Sequence, residues 1–210
     1  MDKIFKSLGA SNHTENEREK NDYYATDPLA IDELLKKETL NHNVWECACG
    51  GLHLANRLKE LGYNVRTSDL VKRVNADNIE VLDFLSYQGK YDGDIVTNPP
   101  YILAKEFVLK ALDIVSEGNK VVMFLKLLFL ESQNRYEELF KLYPPKKIYV
   151  FSKRVRCQIN GDFSKKDSSA ICYARYVWEK GYKGLPTIDW INNTDDLEEQ
   201  ADLWEAKNKN

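Results

Sequence analysis

A mainly parallel β-sheet with helices on both faces, closed by an antiparallel strand near the C-terminus, is the fold class this sequence predicts. Two observations lead there. From residue 27 to residue 142, apolar segments of strand length recur between segments of helical period, and strands joined through helices pair in parallel. Beyond that point two strand-like segments, "KKIYVF" and "SAICYARYVW", follow each other with only a hydrophilic stretch between them. They are expected to finish the sheet as an antiparallel pair.

The elements follow in order. Residues 1–21, including "SNHTENEREKN", are polar and lack an apolar period, so they read as an arm. "DPLAIDELLKK" is a helix, with Asp27 as its cap and Pro28 in its first turn. Strand "NVWEC" comes next, then the pair Gly50 and Gly51, then helix "LHLANRLKELG" closed by Gly62. Strands "NVRTSDL", "IEVLDF" and "GDIVTN" precede helix "LAKEFVLKALDIVSEG", strand "KVVMFLK" and helix "ESQNRYEELFKL". Residues 22–193 are thus expected to form one domain, and 194–210 an acidic tail, helical from Thr194 to Trp204.

Composition narrows the class of protein. The 210 residues suffice for one well-buried domain and are short for two. Hydrophobic residues at 43% and charged residues at 30% fit a soluble protein, and no apolar run approaches the roughly 20 residues of a membrane helix. With no apolar N-terminal segment, a cytoplasmic location is expected, where Cys47, Cys49, Cys157 and Cys172 stay reduced. No second cysteine pair completes a zinc site beside Cys47 and Cys49, so no metal is expected. A formal net charge of −3 argues against indiscriminate coating of nucleic acid.

The strand ends carry the chemistry. In "ECACGGLHL", glycines between a strand and a helix let the backbone turn tightly and approach a ligand at the helix N-terminus. Nineteen residues past Gly50, Asp69 ends the next strand, a spacing that suits a carboxylate accepting from ribose hydroxyls. A third strand end brings Asp83 and Phe84, a polar group beside an aromatic face suited to adenine. The turn lacks the full G-x-G-x-x-G pattern of dinucleotide sites, which favours an adenosine ligand without a pyrophosphate. The fourth strand ends in "TNPPY". Two prolines there either simply terminate the strand or fix a loop in which the Asn98 oxygen and the Pro99 carbonyl face one amino group while Tyr101 receives a planar base.

With "ASNHTENEREKNDYYATDP", "WECACGG", "SDL", "DF", "TNPPY", "KLLFLESQNRYEELF" and "YVWEKGYKG" in this order, the chain resembles the amino-group DNA methyltransferases. It is most similar to the small adenine-N6 enzymes of phages and prophages. The resemblance implies a Rossmann-like class I methyltransferase sheet, S-adenosylmethionine as cofactor, and methyl transfer to the amino nitrogen of an adenine flipped out of double-stranded DNA or already single-stranded. It implies Thr26 near the methionine moiety; Glu46, Cys47, Ala48 and Gly50 in the turn beneath it; and Asp69 with Leu70 at the ribose. Asp83 and Phe84 would meet the cofactor adenine, and Asn98, Pro99, Pro100 and Tyr101 the target base.

Seven basic residues against one acid between Lys146 and Lys166 make this stretch the expected DNA contact. Lys153, Arg154, Arg156, Lys165 and Lys166 would meet phosphates, and Phe163 the second face of a flipped base. No large target-recognition domain fits in a chain this short, so recognition falls to the arm, this stretch or a separate partner. One departure stands out. Relatives usually have a second glycine where this chain has Leu52; either the leucine crowds the methionine end of the cofactor or Gly51 restores the turn. Methylation of an RNA base or a glutamine amide, or a non-catalytic nucleic-acid-binding relative, are the alternatives.

Overall fold

Along neighbouring strands the apolar residues alternate. Val44, Val96 and Val122 belong to one buried layer, and Trp45, Ile95, Val121 and Met123 to another. A period of two with both sets buried means a sheet covered on both faces. The computed structural model describes residues 24–26, 29–153, 155, 157–159 and 171–191. The arm at 1–21, the cap residues Asp27 and Pro28, and the tail at 194–210 lie outside them.

The strands are β1 (Tyr24–Thr26), β2 (Asn43–Glu46), β3 (Asn64–Asp69), β4 (Glu80–Val81), β5 (Asp94–Thr97), β6 (Lys120–Lys126), β7 (Lys147–Phe151), β8 (Cys157–Ile159), β9 (Tyr173–Glu179) and β10 (Thr187–Ile191). The helices are α1 (Leu29–Leu35), α2 (His53–Glu60), α3 (Ala104–Ile114) and the short α4 (Gln133–Arg135). An eight-stranded sheet runs β10-β7-β9-β6-β5-β2-β3-β4. Pairing is parallel from β4 to β6; β9 is antiparallel to both β6 and β7, and β10 is parallel to β7. β1 and β8 form a separate antiparallel pair, with Thr26 opposite Cys157.

Helix α3 lays Phe107, Val108, Ala111 and Leu112 on the layer holding Trp45, and α1 and α2 lay Ile31, Leu34, Leu54 and Leu58 on the other. Full burial of each of these side chains larger than alanine contributes about 1.5–3 kcal/mol. One end of the sheet is tied by charge. Asp94 accepts from Asn41 N and Lys120 N, both at 2.7 Å, and Glu38 accepts from Lys120 Nζ at 2.6 Å and Tyr149 Oη at 2.6 Å. The opposite, C-terminal end of the parallel strands is where β2 has β3 on one side and β5 on the other. Successive crossovers part in opposite directions there and leave a crevice.

Three local readings of the sequence change. "IEVLDF" pairs only over Glu80–Val81, because Asp83 Oδ1 accepts from Leu85 N at 3.0 Å and starts a 3-10 turn at Phe84–Ser86. "ESQNRYEELFKL" is one α-turn followed by a π-turn over Tyr136–Phe140 rather than a regular helix. Strands β1, β8 and β10 were not expected; β10 extends the sheet beyond the antiparallel pair.

Candidate active site

Four consecutive strand ends open into one cavity of about 360 Å³, within the range of small-molecule sites. Glu46, Cys47 and Ala48 line it after β2, Asp69 and Leu70 after β3, Asp83 and Phe84 after β4, and Asn98, Pro99, Pro100 and Tyr101 after β5. Gly50 is not among its lining residues; its φ of 51° turns the chain and its N–H donates to Asp69 Oδ2 at 2.7 Å. Of Thr26 the backbone pairing alone is described, in β1.

The acids differ in their surroundings. Asp69 also accepts from Val71 N at 3.1 Å, so each of its oxygens already receives a backbone N–H, and the carboxylate holds the glycine turn as well as facing the cavity. Glu46 is 3% exposed. The Ala55 N–H donates to it, while its Oε2 has no hydrogen-bond partner among the described residues. Burial pushes its carboxyl well above the usual range, more than the Ala55 hydrogen bond and the Arg175 charge lower it, and the Asp69 charge adds to the rise. Asp83 is exposed and spends one oxygen on the cap. Burial likewise pushes up the thiols of Cys47 and Cys49, which rules neither in as a nucleophile at neutral pH.

The Phe84 ring is 2% exposed, edge-on to Trp45 at 5.3 Å and tilted against Phe107 at 5.1 Å. It forms wall rather than a free stacking face, and the leucines at 70, 82 and 85 supply the apolar surface beside it. Tyr101 is half-buried, its ring 6.1 Å from that of Tyr173, and Lys126 Nζ lies 4.8 Å from its centroid. Pro100 O accepts from Leu103 N at 2.9 Å, which turns the chain at once into α3 and rigidifies the tetrapeptide.

Leu52 stands at φ 66°, ψ 12°, the left-handed region, at the N-cap of α2. Its side chain is 6% exposed and packs with Cys49, Ala55 and Ile79. It does not line the cavity, so the leucine occupies the glycine conformation without crowding the site.

The basic stretch divides. Lys146 pairs with Glu179 at 2.6 Å and Lys147 with Glu38 at 3.0 Å at the start of β7, away from the cavity end. Lys153, two residues past the end of β7, is exposed on the cavity end. Arg154, Arg156, Phe163, Lys165 and Lys166 lie outside the residues whose side chains are described. Sequence reasoning missed Arg73 and the apolar Leu54, Ile102, Leu103 and Phe107, all of which line the cavity. The leucines looked like ordinary core residues; a charged residue four past a strand-end carboxylate was the one available signal for Arg73.

No family model and no curated protein matches the sequence. Solved structures match the fold. A putative class I S-adenosylmethionine-dependent methyltransferase from Listeria monocytogenes aligns with TM-score 0.55 and 11% identity over 85% of this chain and 67% of its own. A predicted O-methyltransferase from Agrobacterium tumefaciens aligns with TM-score 0.52 and 13% identity, over 79% and 86%. The type IIG restriction endonuclease BpuSI aligns with TM-score 0.51 and 14% identity over 75% of this chain, which spans 24% of that enzyme. Among the described residues no helix is long and apolar enough to cross a membrane. The strand order, the single antiparallel insertion of β9 and these likenesses together give the chain the class I methyltransferase fold.

Proposed function

We propose that this chain binds S-adenosylmethionine in the cavity and methylates the N6 amino group of adenine in DNA. The observation that carries the reading is a juxtaposition: the Asn-Pro-Pro-Tyr loop and a floor of acidic side chains border one cavity. A cationic ligand fits that floor, since the buried Glu46 Oε2 has no hydrogen-bond partner among the described residues and Asp69 stands beside it. The cofactor supplies an electrophilic methyl group on a sulfonium sulfur. Glu46, Cys47 and Ala48 would hold its methionine end, with Thr26 nearby, Asp69 and Leu70 its ribose, and Asp83 with the Phe84 wall its adenine.

The chain's own contribution is positioning. An exocyclic amine is a weak nucleophile because its lone pair is delocalised into the ring. Two acceptors, Asn98 Oδ1 and the Pro99 carbonyl, would accept hydrogen bonds from its N–H groups, draw the nitrogen toward tetrahedral geometry and so free that lone pair for attack on an electrophilic carbon. The proton then leaves the nitrogen for solvent. No strong general base is required, because the acceptors stabilise charge where it develops. Tyr101 would present the base, and Lys153 with the following basic residues, Arg154, Arg156, Lys165 and Lys166, would meet phosphates, with Phe163 against the base. The likeness to BpuSI, a restriction endonuclease, supports DNA over the amide of a protein substrate.

Purified protein supplied with S-adenosylmethionine labelled in the methyl group, and offered unmethylated DNA, RNA and a glutamine-containing peptide, is the test. Label on DNA adenine is expected. Label confined to RNA or peptide, or absent with the cofactor bound, refutes the reading.

A further inference from the structure

The cavity's two ends differ in chemistry. At one, the carboxyl groups of Glu46 and Asp69 are buried. Beside Tyr101, which lines the cavity, stands a cation that the cofactor chemistry does not use: Lys126, the last residue of β6, which is not itself a lining residue. In the β5–β6 register Thr97, the last residue of β5, lies opposite Met123, and β6 continues three residues further to Lys126, while the chain leaving β5 reaches Tyr101 four residues past Thr97. Its ammonium lies 4.8 Å from the Tyr101 ring centroid. Nearby Lys105 pairs with Glu138 and Glu106, and Arg57 and Arg66 pair with Asp32 and Glu80, whereas Lys126 forms no ion pair among the described residues. Its own carbonyl accepts from Tyr176 Oη at 3.2 Å, and β9 pairs with it at Tyr173, so the backbone that carries it is fixed.

We propose that Lys126 is the residue that binds the phosphate of the target nucleotide, an inference that rests on the adenine-methylation reading above. A cation at this point is repelled by a sulfonium cofactor and attracted by a polyanion, so its charge complements the second substrate and not the first. The contact it makes in the free protein is with a π face, which is weak and exchangeable. A lysine's flexible stem lets the ammonium leave the ring when a phosphate is delivered beside it. A base arriving against Tyr101 brings its phosphate through a single sugar, within reach of that stem. A neutral amide in a protein brings no such anion, which makes Lys126 a discriminator between nucleotide and glutamine substrates.

The test is equilibrium binding of a short single-stranded oligodeoxyadenylate to the full chain saturated with S-adenosylhomocysteine, read by fluorescence anisotropy. Lys126→Met is expected to weaken binding and to flatten the slope of log K against log salt by about 0.7, one single-strand phosphate contact, between about 50 and 200 mM salt. Lys126→Arg is expected to restore the slope, and S-adenosylhomocysteine affinity by calorimetry to stay unchanged in both. Weaker binding with the parental slope makes Lys126 a mere support for the Tyr101 ring and overturns the proposal, as does a parent that does not bind the oligonucleotide. A Lys126-dependent slope in a parent that yields no methyladenine supports this inference while refuting the methylation reading.

Discussion

Replacing Leu52 with glycine separates two effects that a sequence alone confounds. Leu52 holds φ 66°, a conformation that costs an L-residue about 1–2 kcal/mol and glycine almost nothing. Its side chain is 6% exposed against Cys49, Ala55 and Ile79, and removing a buried leucine side chain costs about 3–5 kcal/mol. Burial outweighs strain. Leu52→Gly is therefore expected to lose about 2–3 kcal/mol, roughly 5–10 °C in Tm for a domain of this size. Leu52→Ala loses the same packing and keeps the strained φ, so it should be less stable than Leu52→Gly by about 1 kcal/mol, the reverse of the usual order. Because Leu52 does not line the cavity, S-adenosylmethionine affinity by calorimetry should stay within about threefold of the parent in both variants, well under the 1.4 kcal/mol of a tenfold change. Denaturant melts and calorimetry check each statement. A glycine variant more stable than the parent would show that strain outweighs burial, and one with cofactor affinity raised tenfold or more would show that the leucine does crowd the site.

Other outcomes follow from the site. Asp69→Ala should weaken cofactor binding and also lower Tm, since the carboxylate holds Gly50 N and Val71 N; a variant with parental affinity removes the ribose assignment. Glu46 has a folded-state pKa raised chiefly by burial, so its stability contribution is fully present below the ordinary carboxylate value near ~4.3 and lost as pH rises through the folded value. Glu46→Gln, which mimics the neutral acid, should therefore flatten the parent's loss of Tm with rising pH; identical pH profiles contradict it. A cation placed beside Glu46 favours its ionised form, so cofactor binding below the raised pKa should release a proton, read as buffer-dependent calorimetric heats that vanish in Glu46→Gln. Tyr101→Ala should cost about 1–3 kcal/mol of base capture and be partly rescued by a mismatch at the target adenine; rescue of Asn98→Ala to the same degree would refute the division of labour.

Strands of regular alternation were legible because a period of two survives in any context: β2, β3, β5, β6, β7 and β9 all appear where the apolar residues placed them. The placement of the strand-end residues was legible for the same reason, since knowing where a strand stops puts Glu46, Asp69, Asp83 and Asn98 at one edge. What failed was decided by single side chains. Asp83 caps a turn and cuts β4 to two residues. Arg135 donates to the carbonyls of Leu128, Phe129 and Glu131, and the segment it belongs to continues as a π-turn. β10 follows Pro186 and has exposed Ile188 and Trp190, so its pattern lacks the buried alternation that marks a strand. Phe84 shows the limit at the site: an aromatic beside a polar group reads as a clamp, but Trp45 and Phe107 hold its ring in the core.

The most direct measurement is single-turnover methylation of DNA by the parent and Asn98→Ala, with digestion to nucleosides and mass spectrometry of N6-methyladenine. Asn98→Ala should bind S-adenosylmethionine as the parent does yet methylate about 100-fold or more slowly, by analogy with removing one preorganised acceptor or donor from a charged transition state. An Asn98→Ala protein that forms N6-methyladenine as fast as the parent would contradict the account.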